Sequence, residues 1–503
     1  MAADDFDNLP YPSLPQSYSQ PSHLAALAHL HGLTAHAAAT ARVLELGCAS
    51  GGNIIPLAVR FPEARFIGVD LAARHIADGN GRIQGLGLSN IELRQGDVSQ
   101  LSFGEETFDY IICHGLYSWV PPAVQDAILK VVSKCLAANG IAAVSYNVLP
   151  GWHLRRPVRE VFKHYAGTSG TPVDRVARGR SALQSLIQSS NGKQIYGQSL
   201  LQEAKRLTRQ PSAYILGEFL AEHNHPCLFS EFASRASGHG LAFLCEGDLG
   251  ASANENLNPD AGRHLASLTK AQDGDAGIAL EQAIDFASGR PFRRSLLVRA
   301  NCAFDAPKAD RWHGLHVIGH LRLDPKNSTA AETIFQDEFA RGVVVPTGGV
   351  SAAVQRLAEA YPSSVAVDEL LAGQPGDDFQ DIGAALLTMI AAGHLKVSSL
   401  PVATGRASDE YPKVTALNRL EAADGQPWLT SLHHEAVPVT PHQAIVVQLL
   451  DGTRHHAALV ECVASAFRDV ATKGLEQAPA QFVEATLRYL ERDCVLVPSR
   501  AGV

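Results

Sequence analysis

The sequence predicts an α/β fold: a doubly wound, Rossmann-like sheet of seven strands, with a helical insertion and an α+β C-terminal part. Three observations predict it. Short apolar runs alternate with helical stretches from residue 42 to residue 147, the rhythm of βα units in a parallel sheet. A turn of small residues, VLELGCASGG at 43–52, joins the first run to its helix, where such sheets receive ligands. Two more apolar runs, 240–248 and 293–301, return after a long helical stretch and complete the sheet.

Residues 11–21, YPSLPQSYSQP, read as an extended Pro/Ser-rich lead, followed by an Ala/Leu-rich helix over Ser22–Leu33. RVLELG (42–47) is a buried strand, and GNIIPLAVRF (52–61) a helix that Pro62 closes. ARFIGVDL (64–71) is the second strand, HIADGNGRIQGLG (75–87) a helix, NIELRQGDV (90–98) the third strand and FDYIICHG (108–115) the fourth. PAVQDAILKVVSKCLAANG (122–140) is an amphipathic helix with Gly140 as its stop, and GIAAVSYNVLPGW (140–152) a fifth strand entering a loop. Arg155 to Gly238 is helical and polar. After Ala303, two stretches share an order of helix, helix, long helix and short strand, and read as winged-helix-like units. The expected divisions are 1–40 (lead and first helix), 41–154 (ligand-binding core), 155–238 (insert), 239–303 (completion of the sheet) and 304–503 (C-terminal part).

A chain of 503 residues exceeds one ordinary core. No apolar run approaches the ~20 residues that span a bilayer, and the acidic start MAADDFDN is unlike a signal peptide. Eight cysteines without a CxxC pair argue against zinc and against a disulfide framework; a cytoplasmic protein with reduced thiols is expected. The net charge of −9 hides a basic insert, in which Arg155, Arg156, Arg159, Lys163, Arg175, Arg178, Arg180, Lys193, Lys205, Arg206 and Arg209 far outnumber acids. Such a segment can steer nucleic acid, but a solvated helical face is the commoner explanation.

The opening turn admits two ligands. Gly47, Ala49 and Gly52 suit a nicotinamide dinucleotide; Gly47, Ala49 and Gly51 suit S-adenosylmethionine. Glu45, two residues before the first glycine, can face a cationic amino group, which the methyl donor has and the dinucleotide lacks. Asp70 ends the second strand and can take ribose hydroxyls in either case. Asp97, after the third strand, suits an adenine amino group. With the two late strands, these favour S-adenosylmethionine. Its expected site is Glu45, Gly47, Ala49, Gly51, Asn53, Asp70, Leu71, Asp97, Val98 and His114.

At this point YPSLPQSYSQPSHLAALAHLHGL, VLELGCASGGNIIPLA, FIGVDL, FDYIICHGLYSWVP and SYNVLPGW together resemble a known family. It is the bacterial S-adenosylmethionine-dependent methyltransferases with a methyltransferase regulatory domain, among them the rickettsial outer-membrane-protein lysine methyltransferases. EFLAEHNHPCLFSEFASRASGHGLAFL resembles the regulatory segment and HEAVPVTPHQAIVVQLLDGTR the C-terminal part. The resemblance implies a protein substrate, an outer-membrane or surface protein, and a homodimer formed through the insert. It disfavours nucleic acid as a partner, and neither it nor the hydropathy suggests membrane insertion. The lead departs from the family pattern, which often has histidine where Ser19 or Gln20 stands.

A lysine acceptor must lose a proton first. With a free pKa near 10.4, only about one lysine in a few thousand is neutral at pH 7, a deficit of roughly 4–5 kcal/mol. Aromatic faces attract ammonium groups. In amino-methylating enzymes of this fold an Asn-Pro-Pro-Tyr/Phe quartet ends the fourth strand; here only its aromatic spacing survives, with Tyr117 in the last slot. Tyr117, Trp119, Tyr146 and Trp152 are expected to form a cage with Asn147 as hydrogen-bond partner; the alternative is an aromatic mini-core. His114 reads as a hydrogen-bonded wall more readily than as a general base. HNHPC (223–227) looks metal-like but lacks a matching cluster, and reads as a helix-ending turn. A small-molecule methyltransferase and a non-catalytic cofactor-binding regulator remain as alternatives to protein-lysine methylation.

Overall fold

The computed structural model describes residues 11–249, 257, 261–269, 275–372, 376–469 and 478–498. The acidic start, at residues 1–10, lies outside the described residues, as does 470–477 within the second C-terminal stretch. Helix α1 (Pro21–Leu30) precedes β1 (Arg42–Leu46), α2 (Ile54–Arg60), β2 (Arg65–Asp70), α3 (Ala73–Leu86), β3 (Ile91–Gln95) and β4 (Phe108–Cys113). Then come α4 (Pro122–Cys135), β5 (Leu136–Asn147) and the insert helices α5 (Arg156–Ala166), α6 (Pro172–Ser189) and α7 (Ile195–Thr208). The sheet is completed by α8 (Phe229–Gly238), β6 (Leu241–Glu246), α9 (Ala261–Thr269), α10 (Ala276–Ser288) and β7 (Phe292–Arg299).

The seven strands lie in the order β3-β2-β1-β4-β5-β7-β6. β1 to β5 are parallel, and β7 is antiparallel between β5 and β6. The expected doubly wound sheet with two late strands is therefore present. Its two faces follow from the period of two along each strand. Val43, Tyr110, Ile112, Ile141 and Ala143 join one core; Leu44, Leu46, Ile111, Cys113, Ala142 and Val144 join the other.

One boundary differs. The helix expected to run to Gly140 ends at Cys135, and Leu136 already pairs with Phe108 as β5 begins. Gly140 lies inside the strand. Pairing between the interior strands β4 and β5 overrides helical periodicity there, at the cost of a register shift between Phe108 and Tyr110.

The insert has its own core, built on Val158, Phe162, Leu200, Leu207 and Phe219. Several of its arginines serve helix ends, whose last carbonyls lack partners. Arg178 donates to Ala166 O (2.7 Å) and Arg180 to Leu207 O (3.2 Å) and Gln210 O (2.6 Å). Arg159 donates to Glu218 O (3.0 Å) and Ala221 O. The basic composition thus has a structural use.

Beyond the sheet, helices Gly349–Ala360, Val367–Leu371 and Gly376–Ala391 accompany a small sheet of His316–Ile318, Val365–Ala366 and Lys396–Ser398. Trp312, Phe335 and Leu386 from this part share a core with the Val43 face. The last part has a separate core on Val414, Leu429, Val446, Leu459 and Leu487. Its helices include Ala416–Ala423, Pro441–Leu449, His456–Asp469 and Pro479–Arg492, with a hairpin of Trp428–Thr430 and Ala436–Pro438. Among the described residues no helix is long and apolar enough to cross a membrane.

Candidate active site

The chain leaves β1, goes out to β2 and β3, and returns to β4 on the other side of β1. That reversal opens a crevice at the C-terminal strand ends, where ligands of such sheets bind. The turn after β1 lies there. Gly47, Ala49 and Gly51 have φ of +75°, +47° and +78°. Ala49 N donates to Asp70 Oδ2 (2.8 Å) and Ala72 N to Asp70 Oδ1 (2.9 Å), so Asp70 ties the turn to the end of β2. Gly52 serves another purpose: a Cβ there would lie 1.9 Å from Ser13 O. It is small because the lead crosses it. Gly47, Ala49 and Gly51 are the small positions of the turn that the lead does not cross in this way.

Glu45 is 3% exposed. Its Oε1 accepts from Asn53 Nδ2 (2.7 Å), and its Oε2 has no partner. Burial pushes this carboxyl up to about 8; the Asn53 bond opposes the shift and Asp70 adds to it. A buried carboxylate oxygen without a donor is costly, and a cationic ligand group supplies what is missing. The methionyl ammonium of S-adenosylmethionine meets that requirement; a pyrophosphate does not. Leu71 is exposed at the end of β2 and Val98 is buried beside Asp97. Asp97 caps its own turn, accepting from Ser99 N (2.8 Å) and Ser99 Oγ (2.7 Å) through Oδ1.

The lead covers this crevice, through contacts the sequence left open. Ser13 Oγ accepts from Gly52 N (2.8 Å), Gln16 N donates to Asn53 Oδ1 (2.9 Å), and Ser19 Oγ also meets that oxygen (3.3 Å). Tyr18 OH pairs with His114 Nδ1 at 2.8 Å. Burial, then Arg294, push His114 down to about 3, so it is a neutral, hydrogen-bonded wall.

The expected four-ring cage needs correction. Tyr117 and Tyr146 are 0% and 1% exposed. They pack with Phe232, which stacks on Tyr146 at 4.0 Å and meets Tyr117 edge-on at 5.3 Å. Both are core residues, because the apolar face of α8 closes over the ends of β4 and β5; no acceptor touches rings so enclosed. Trp119 is half-buried and meets the buried Trp152 edge-on at 5.8 Å. Arg155 lies over Trp152 at 5.1 Å.

The segment 223–227 is also not a simple helix-ending turn. Cys227 bridges Val148 in parallel, Leu149 N donates to Cys227 O (3.0 Å), and His225 N donates to Ser118 O (2.8 Å). It lines the ends of β4 and β5. Asn147 Nδ2, Asn224 Nδ2 and His225 Nε2 are buried without partners. Burial, then His223 and Arg159, hold His225 below the usual histidine range. Nearby, a π-helical turn, Leu216–Leu220, carries Glu218, which accepts from Tyr11 OH (3.4 Å). No periodicity in the sequence signalled Asn224, His225 or Glu218; a polar HNH run wedged between apolar stretches was the available hint.

Comparison with known proteins agrees with the fold and with the methyl donor as cofactor. Residues 43–140 match the methyltransferase domain family, 211–299 a family described as a predicted methyltransferase regulatory domain, and 410–481 the PKMT C-terminal winged helix domain. The structure of PKMT2 from Rickettsia typhi in complex with AdoHcy superposes with a TM-score of 0.83 at 26% identity, covering 97% of this chain and 100% of that one. One uncharacterised protein of Rickettsia prowazekii is 29% identical over 91% of this chain and 85% of its own length. Another from the same organism is 34% identical over 46% of this chain and 93% of its own length. Fold, turn and comparisons define an S-adenosylmethionine-dependent methyltransferase. Within that class the chain belongs to the bacterial family with a regulatory domain and a PKMT-type winged-helix C-terminus.

Proposed function

We propose that this enzyme methylates lysine side chains of a protein substrate. The observation that carries the reading is the near-full-length likeness to PKMT2, which extends through the C-terminal winged-helix unit. S-adenosylmethionine supplies an electrophilic methyl group on a sulfonium. Glu45, oriented by Asn53, holds the donor's ammonium. The N–H groups of the Gly47–Gly51 turn face its carboxylate, Asp70 takes the ribose, and Leu71, Asp97 and Val98 flank the adenine. His114 and Tyr18 close the wall behind it.

On the acceptor side, the Trp119 ring offers a face to an incoming ammonium. Half-buried His225, whose Nε2 has no partner, is suited when neutral to accept the proton that lysine must lose, and Asn147, almost fully buried, backs that wall. Positioning and exclusion of water supply much of the remaining acceleration in a methyl displacement. Exposed apolar residues on the insert, Ile195 at 87% and Tyr196 at 61%, fit a homodimer face. The family resemblance points to a surface protein as substrate and a cytoplasmic place of action.

The test is incubation of purified enzyme with methyl-labelled S-adenosylmethionine and bacterial outer-membrane proteins, followed by peptide mass spectrometry. Label on lysine Nζ, reduced at least tenfold in Trp119→Ala, is the expected result. Label confined to small molecules would replace this reading with small-molecule methylation; no transfer to any fraction would favour a cofactor-binding regulator.

A further inference from the structure

The hairpin turn of the C-terminal unit reaches the methyl-donor site from 381 positions away in sequence. His434 lies in that turn, between Trp428–Thr430 and Ala436–Pro438. It is 3% exposed, and its Nε2 lies 2.8 Å from Asn53 Oδ1. Which atom of Asn53 faces it is fixed by chemistry. The same atom takes the backbone N–H of Gln16 (2.9 Å), which can only donate, so it is the amide oxygen. His434 therefore carries its proton on Nε2 and donates. The amide nitrogen is left to face Glu45 Oε1 (2.7 Å) and Ser19 Oγ (3.2 Å).

The turn is held firmly in place. Gln20 Nε2 donates to His433 O (2.9 Å), Arg60 Nη1 to Leu432 O (2.6 Å), and Lys396 Nζ to Glu435 Oε1 (2.7 Å). His434 also has a φ of +59°, a conformation that is costly for a non-glycine residue and persists only where the surroundings impose it. A strained, buried histidine aimed at a ligand-orienting side chain is a functional arrangement more than a packing one.

We infer that His434 is a positioning residue of the methyl-donor site: through Asn53 it orients the Glu45 carboxylate, so the C-terminal unit sets the enzyme's affinity for the donor. This rests on Glu45 holding the donor's ammonium, as proposed above. Linkage makes the coupling reciprocal, so a bound donor also stabilises the docked turn. Glu45 faces Asp70 from β2, Cys48 from the turn, Cys113 from β4 and Tyr18 from the lead; Arg60 from α2 faces His434.

The experiment is calorimetric titration of the full chain with S-adenosylhomocysteine from pH 6.5 to 9, in wild type, Glu45→Gln, His434→Asn, His434→Gln and the double variant Glu45→Gln/His434→Asn. Asparagine tolerates a positive φ but is too short to reach Asn53, whereas glutamine restores a donor. His434→Asn is expected to weaken binding about tenfold, and His434→Gln to recover most of it. Binding needs ionised Glu45, so affinity falls as pH drops below about 8. In His434→Asn that acid limb moves to higher pH, because Asn53 no longer favours the charged form. In the Glu45→Gln background the asparagine change adds less than twofold.

Wild-type affinity in His434→Asn, an unmoved pH limb, or a full tenfold loss on top of Glu45→Gln would each overturn the positioning role. Glu45→Gln binding as tightly as wild type would instead overturn the donor-site assignment itself, and the inference with it.

Discussion

Ala49 concentrates the local demands of the donor turn. Its φ of +47° places an alanine where glycine is at ease, at a cost of roughly 1–2 kcal/mol. The turn holds it there because Ala49 N is needed by Asp70. Ala49→Gly is expected to add about 1 kcal/mol of stability, net of the added freedom of the unfolded chain, and so to raise the midpoint of thermal unfolding. Ala49→Val should lower it by more. Scanning calorimetry without cofactor checks both, and an unchanged midpoint for glycine would mean that the strain is relaxed elsewhere in the turn. Glu45, Asp70 and the three small positions could be placed around one turn from the sequence because a strand–turn–helix unit is local. Asn53 was legible as a neighbour, but its task was not, since three of the groups it joins lie in the lead and the C-terminal hairpin.

The ends of β4 and β5 separate what spacing can say from what packing decides. Tyr117 and Trp119 are two residues apart, yet one is enclosed by Phe232 and Tyr146 and the other is half-buried against Trp152. Tyr117 OH is buried beside the Arg235 side chain without a well-aligned hydrogen bond, so Tyr117→Phe is expected to change stability by less than about 1 kcal/mol and to leave methyl transfer near wild type. Tyr117→Ala removes a ring from a closed core and should cost about 3–5 kcal/mol. Urea unfolding and initial rates on the same preparations distinguish these expectations. A tenfold rate loss in Tyr117→Phe would return its hydroxyl to the acceptor site. The early start of β5 has the same origin: the amphipathic pattern runs on past Cys135, but Leu136 pairs with Phe108 of β4 instead of continuing the helix.

At the scale of the molecule, the sheet, the insert and the last C-terminal part each carry a hydrophobic core. The part between them shares the core of one sheet face. The insert exposes Ile195 and Tyr196 on the first turn of α7. Replacing both with aspartate is expected to convert a dimer into a monomer in sedimentation velocity while leaving S-adenosylhomocysteine affinity within about twofold. A wild-type chain that sediments as a monomer at micromolar concentration would remove the dimer from the proposal. The sequence by itself determined the doubly wound sheet, its two late strands, the helical insert and the small-residue turn, because alternation, periodicity and turn chemistry are local signals that one chain carries openly. Only the tertiary structure decided that Tyr117 and Tyr146 are enclosed while Trp119 is half-buried, that the HNHPC segment packs on the ends of β4 and β5, and that a histidine from the C-terminal hairpin completes the contacts around Asn53. Those are contacts between residues tens to hundreds of positions apart, made by burial and hydrogen-bond geometry that no spacing encodes.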